Sequence, residues 1–256
     1  MVLPDYLREI SGISFSADQQ TLWAVQDEVG VVYQLDMSSQ HVRDSIIFWK
    51  DGDYEDIEMV NGICFVLKST GTIYRFSPHA DTLVVEKQKG GLSKADDAEG
   101  LCYDAKHDRL LVTCKNGNSE QRTIHCFGMN RQSFAPASPI AITRSALLSF
   151  LDDHPEVGSR EKLYDNFKKE KFKFAPSAIA IHPLTDQLYV LSSRGKMLVT
   201  LNRDAQITHI QKLKKSIHTQ PEGMCFDATG RLYISNEGVK DEPAKIYRFD
   251  PIMTTK

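Results

Sequence analysis

The chain has 256 residues, 41% of them hydrophobic and 25% charged, proportions that suit an ordinary globular protein with a sizeable core. Its formal charge of −3 lacks the basic excess that phosphate-backbone recognition needs, which argues against a nucleic-acid binder. No stretch approaches the roughly 18 apolar residues required to span a bilayer. Cys64, Cys102, Cys114, Cys126 and Cys225 lack the close pairing of a zinc site and read as buried thiols.

The opening Met1 to Asp5 carries neither a basic start nor an apolar segment, so the protein is cytoplasmic or its export segment precedes this sequence. From Glu9 a three-part phrase begins. Glu9 to Phe15 leads to Leu22 to Asp27 and then Gly30 to Leu35, each rich in strand-forming residues. The phrase returns from Glu55, from Glu99, from Ser177 and from Glu222, with spacings of 46 (9 to 55), 44 (55 to 99), 78 (99 to 177) and 45 (177 to 222). A period near 45 with three clear strand phrases and a weaker fourth predicts the four-stranded blade of a β-propeller. Turn signals at 17–20, 106–108, 183–186 and 227–230 separate the first two strands of their blades. Outermost strands are predicted at Val42 to Trp49, Thr82 to Lys87 and Ile207 to Leu213, while Val2 to Leu7 should pair with the last blade and close the ring.

The one long interval contains 143–173, where Ala146 to Leu151 and Leu163 to Phe167 have helical spacing. We read it as a helical insertion between repeats three and four of a five-bladed, all-β propeller spanning 1–256. The alternative is a sixth repeat hidden there. Lys168, Lys169, Lys171 and Lys173 lie among Glu161, Asp165 and Glu170 and read as a solvated helix face.

In each blade the first two strands form a hairpin, so the start of the first lies beside the end of the second. Ten positions should therefore gather on one face near the axis. Glu55 pairs with Lys68 and Glu99 with Lys115, while Ser177 faces Ser193 and Asn116 sits at an adjoining loop tip; these are the candidate ligand-binding residues. Blades one and five instead place acid beside acid: Glu9 with Asp27, and Glu222 with Glu237, with Glu28 close by. Ring closure makes those blades neighbours. Two unit charges about 8 Å apart repel by roughly 2 kcal/mol at an effective dielectric near 20, so four such acids need compensation. A divalent cation, a cationic ligand, raised carboxyl pKa values or donors such as the backbone amides of Gly12 and Gly223 could supply it; for an ion, carboxylates without clustered Cys or His favour Ca2+ over Mg2+ and both over zinc. His107, His182 and His209 share no position in the repeat and read as solvated, and Trp23 and Trp49 as blade packing. The nucleophile-elbow, phosphate-loop and zinc-hydrolase signatures are missing.

The phrases Glu9 to Ile13, Ala98 to Leu101, Pro221 to Met224 and Gly230 to Glu237 resemble those of the SdiA-regulated (YjiK-like) family of bacterial proteins. The resemblance spans all five repeats. It implies an NHL-like propeller, commonly periplasmic or anchored at the cell surface by a lipid or signal segment, with no catalytic residues to carry over. Ser177 departs from the repeated acid. The reading is a monomeric, non-enzymatic propeller that binds a small molecule or protein beside a cation. Two others stay open: a metal-dependent hydrolase of phosphate or ester substrates, and an interaction scaffold using the insertion.

Overall fold

In a strand, successive side chains point to opposite faces. In β2 (Thr21–Gln26), Leu22 and Ala24 enter one apolar cluster while Trp23 and Val25 enter another. A sheet apolar on both faces must be covered on both, and sheets arranged face to face in a ring satisfy that need. The computed structural model describes residues 1–129 and 134–251; the expected span of 1–256 extends past these at 130–133 and 252–256.

Blade one comprises β1 (Ile10–Phe15), β2, β3 (Val31–Asp36) and β4 (His41–Ile47); blade two, β5 (Tyr54–Val60), β6 (Ile63–Lys68), β7 (Thr72–Phe76) and β8 (Glu86–Lys89). Blade three comprises β9 (Ala98–Asp104), β10 (Arg109–Cys114), β11 (Gln121–Met129) and β12 (Phe134–Thr143); blade four, β13 (Ala175–Ile181), β14 (Leu188–Arg194), β15 (Met197–Leu201) and β16 (Ile207–Lys212). Blade five has β17 (Pro221–Phe226), β18 (Leu232–Asn236) and β19 (Lys245–Phe249). All neighbouring strands within a blade are antiparallel, and each of the five blade interfaces holds its own apolar cluster. The fold is therefore a five-bladed β-propeller. All five cysteines are buried and unpaired.

Blade five takes its fourth strand from the other end of the chain. Val2 bridges Lys245, Leu3 N donates to Ala244 O at 2.9 Å, and Ile246 N donates to Met1 O at 2.9 Å. The pairing stops at Leu3, earlier than the expected Val2 to Leu7, because Pro4 has no amide to donate and Asp5–Leu7 turn as a 3-10 helix. Blade two's outer strand is also displaced. It runs over Glu86–Lys89 instead of Thr82 to Lys87; the apolar run that suggested the earlier position leaves Val84 exposed. The insertion forms α1 (Arg144–Asp153), capped by Thr143 Oγ1 accepting from Ala146 N, and α2 (Arg160–Asn166). Leu147, Leu151, Leu163 and Phe167 seal the rim of the interface between blades three and four.

At the axis the innermost strands approach very closely. A Cβ on Gly12 would lie 2.4 Å from Asp56 Cα, and one on Gly223 would lie 2.3 Å from Ser11 O and 3.0 Å from Gly12 Cα. These positions exclude any side chain on steric grounds. Asp56 occupies the corresponding position of blade two by turning its carboxylate to the backbone: Oδ1 accepts from Ile57 N at 2.8 Å and Oδ2 from Leu101 N, in blade three, at 2.6 Å. It is fully buried. Replacing Asp56 with Ala orphans two interior amides, so we expect a loss of about 2–4 kcal/mol in urea unfolding; a loss below about 1 kcal/mol would show that the carboxylate does not join the blades.

Candidate functional site

The hairpin register fixes which residues share a level. Ile10 pairs with Gln26 and Ile13 with Ala24, while Pro221 pairs with Asn236 and Met224 with Ile234. Ser11, not Glu9, is thus the counterpart of Glu222. In blade two Tyr54 pairs with Lys68, which sets Ser69, not Lys68, level with Asp27, Lys115, Ser193 and Glu237. In every blade a bulge or irregularity interrupts this end of the first hairpin. The chain then makes one more bond: Asp27 N to Glu9 O (3.2 Å), Ser69 N to Asp53 O (3.0 Å), Lys115 N to Asp97 O (2.8 Å) and Glu237 N to Gln220 O (3.0 Å). Glu9 accordingly shares its level with Asp53, Asp97 and Gln220.

At the seam between blades five and one, Glu9, Asp27 and Glu237 each offer one carboxylate oxygen within 4.8 Å of the other two. Asp27 Oδ1 is buried without a hydrogen-bond partner. Glu237 accepts from Gln220 Nε2. Burial, then Glu9, Glu28 and Asp53, raise the Asp27 carboxyl to about 6. Burial, then Glu9 and Asp27, raise Glu237 to about 7. Glu222 lies outside the trio and feels Glu237 and Asp27; burial raises it to about 7 against the pull of Lys115.

On the opposite side of the axis, Lys115 Nζ meets Glu99 Oε1 at 2.6 Å, with Glu99 buried. Burial works against the ammonium, but Glu99, Glu222 and Glu55 more than offset it and hold the proton above the usual lysine range. Burial raises Glu55 as well, reinforced by Glu99 and Asp53. Lys68 does not pair with Glu55: its Nζ lies over the Tyr54 ring, 5.5 Å from the centroid. Ser177 Oγ is spent on Pro221 O at 3.0 Å, joining blades four and five, and Ser193 is buried at the strand end. Asn116 is exposed and donates through Nδ2 to Ala95 O at 3.2 Å. His182, expected in solvent, is buried between Tyr189 and Phe226.

The sequence reading missed Ser11, Asp53, Ser69, Asp97, Gln220 and Lys196. Aligning the repeats on Gly12, Asp56, Gly100, Ala178 and Gly223 would have recovered Ser11, Asp53, Asp97 and Gln220, because the steric limit at the axis falls on that position. Lys196 stands in the hairpin tip between β14 and β15. Burial lowers its ammonium, although Glu222 and Glu237 of the neighbouring blade five act on it favourably.

The description "SdiA-regulated" matches residues 2–250. This chain belongs to the SdiA-regulated family. No curated protein matches it. Among solved structures, the SdiA-regulated chain is similar to a streptogramin B lyase, with 12% identity, TM-score 0.51, and coverage of 97% of this chain and 70% of that one. A luciferin-regenerating enzyme gives 12% identity, TM-score 0.54, and coverage of 94% and 91%. XC5397 of Xanthomonas campestris, described as a gluconolactonase, gives 12% identity, TM-score 0.56, and coverage of 93% and 71%. At these identities the likeness concerns the fold alone. Among the described residues of this SdiA-regulated protein, no helix is long and apolar enough to cross a membrane.

The acidic seam has a consequence for stability. The unfolded chain ionises its carboxylates near pH 4, whereas the folded protein keeps protons on Asp27 to about 6 and on Glu222 and Glu237 to about 7. Through these groups the native state binds more protons between those limits, and their contribution to stability falls as pH rises from about 4 through 7. His218, buried and lowered to about 4, acts in the opposite sense up to about pH 6.5, so the contrast belongs between variants. In metal-free protein, Glu237→Gln should raise the melting temperature at pH 8 relative to wild type by more than it does at pH 5. Equal shifts at both pH values would mean that Glu237 is not held protonated.

Proposed function

We propose that this propeller is a non-enzymatic binding protein whose seam acids hold a divalent cation, Ca2+ in preference to Mg2+, beside an axial ligand site. The observation that carries this reading is the trio of carboxylate oxygens within 4.8 Å of one another, with Asp27 Oδ1 buried and unpartnered. Ca2+ bonds oxygens at about 2.3–2.6 Å, so oxygens on opposite sides of one ion stand up to about 5 Å apart, whereas Mg2+ allows only about 4.2 Å. The set is all carboxylate, which suits a hard ion. Cation binding would also offset both the burial and the repulsion that raise Asp27 and Glu237. Glu9, Asp27 and Glu237 are the proposed ligands, and Glu55, Glu99, Lys115 and Glu222 line the floor beside them. A periplasmic or cell-surface location is part of the proposal, since extracellular calcium modules work at affinities of about 10⁻⁴–10⁻³ M.

A second reading, a metal-assisted hydrolase, is favoured by a separate feature. Glu222 and Glu99 are raised to about 7 and about 8 within the same group of side chains, a range suited to proton transfer. The gluconolactonase and lyase likenesses are consistent with such chemistry but rest on fold. A bound ion would act there by polarising the scissile ester or its water.

Chelator-treated protein should gain thermal stability on adding CaCl2, by about 2.7 kcal/mol at 100 times Kd, with a smaller gain from MgCl2. Glu9→Gln or Glu237→Gln should abolish the gain, while Glu222→Gln should retain it. An unchanged melting temperature in excess Ca2+ would remove both readings. Turnover of lactones or aryl phosphates by wild type, lost in Glu237→Gln, would favour the hydrolase over the binding protein.

A further inference from the structure

The same face of the ring carries the opposite charge over blades three and four. β14 and β15 are joined by Gly195 and Lys196, both at positive φ (76° and 48°), the type I′ turn that reverses a hairpin in two residues. The end of the insertion docks against this tip. Asn166 Nδ2 donates to Gly195 O at 3.2 Å, Lys212 Nζ donates to the same carbonyl, and a Cβ on Gly195 would lie 2.6 Å from Lys173 O. Phe172, the residue before Lys173, stacks under the Arg122 guanidinium at 4.7 Å.

Six cations are brought together in this way: Arg122, Lys162, Lys173, Arg194, Lys196 and Lys212. Lys162, Lys173 and Lys196 all act on the Lys212 ammonium, and Arg194 acts on Arg122. Among the described residues, none of the six has a carboxylate within ion-pair distance. Two nearby acids are engaged elsewhere, Asp165 by Lys168 and Glu120 by Arg144 and Lys169, while Glu222 and Glu237 act on Lys196 only at longer range.

Arg122 supplies an independent observation. It is only 8% exposed, its Nη1 donates to Asn118 O and Gln121 O, and its Nε is buried without a partner. A buried guanidinium with no counter-charge costs several kcal/mol of lost hydration unless negative charge is supplied from elsewhere.

We infer that this shoulder is an anion site that takes a ligand bearing a phosphate or diphosphate group. Six converging cations exceed what one carboxylate would neutralise. The mixture suits phosphate, since the arginine forks bond oxyanions in pairs and the lysines add point charges. The inference does not rest on the cation reading: no residue is shared between the two sites, and they are coupled only through the action of Glu237 on Lys196.

The test uses metal-free protein titrated with inorganic pyrophosphate by calorimetry at 50 and 200 mM NaCl. We expect saturable binding that weakens with salt and persists in Glu237→Gln. The double variant Lys173→Glu/Arg194→Glu, at two exposed positions, should weaken it at least tenfold with the melting temperature retained. Should that protein fail to fold, Lys162→Gln/Lys173→Gln should weaken binding at least threefold. No heat at millimolar pyrophosphate, or an unchanged Kd in a folded variant, would overturn the inference. Binding only to phosphatidylglycerol vesicles, with none to pyrophosphate, would make the shoulder a membrane-facing surface and overturn it equally.

Discussion

The tight approach of the five innermost strands governs the rest of this molecule. Gly12 faces Asp56, Gly100 faces Ala178, and Gly223 faces Ser11 and Gly12 at separations that leave no room for a side chain at the glycines. Backbone crowded this closely still has to satisfy its amides, and the bulges are where that is done. Ser235 Oγ, for example, accepts from Gly223 N and donates to Ser11 O across the seam, both at 2.7 Å. The bulges also turn the residues beside them toward the axis, which is why acids and hydroxyls, not apolar side chains, gather at this end of the ring.

Crowding on the axis sets the electrostatics. Acids brought together by ring geometry have little freedom to move apart, so protonation, a lysine or an external charge must relieve them. On one side Lys115 does so for Glu99. At the seam no basic side chain lies within ion-pair distance of Glu9, Asp27 or Glu237 among the described residues. Blades three and four have the reverse imbalance. The face of the ring is therefore strongly polarised, acidic at the meeting of the first and last blades and basic over the insertion, although the chain as a whole carries a charge of only −3.

Much of this was legible in the sequence because the blade is a repeated unit and its strands are continuously apolar. The 45-residue period revealed the blades, and the helical spacing of Ala146 to Leu151 and Leu163 to Phe167 marked the insertion, seen as α1 and α2. Register was harder. Aligning on the first acid set Glu9 beside Glu222 and Lys68 beside Asp27, each out of step, because the constraint that fixes register acts on the glycine and involves a neighbouring blade. Outer strands gave the faintest signal, since they pack on one side only; the four residues of β8 are largely exposed. The basic shoulder was hidden for another reason. Its members come from β11, α2, the stretch before β13, the end of β14, the hairpin tip and β16, and in linear order the lysines of the insertion are diluted by the acids between them.

The N-terminal segment that completes blade five gives the ring a single non-covalent join, held by the bonds from Met1 to Leu3, by Gly238 N to Arg8 O and Ser235 Oγ to Ser11 O, and by the apolar packing behind them. Glu9 and Asp27 stand on one side of that join and Glu237 on the other. Any partner that touches both sides can exist only while the circle is shut, so its occupancy reports the integrity of the whole molecule. Such a partner would act as a clasp, converting its own concentration into resistance against opening, with proteases gaining access to the blade edges chiefly when it departs.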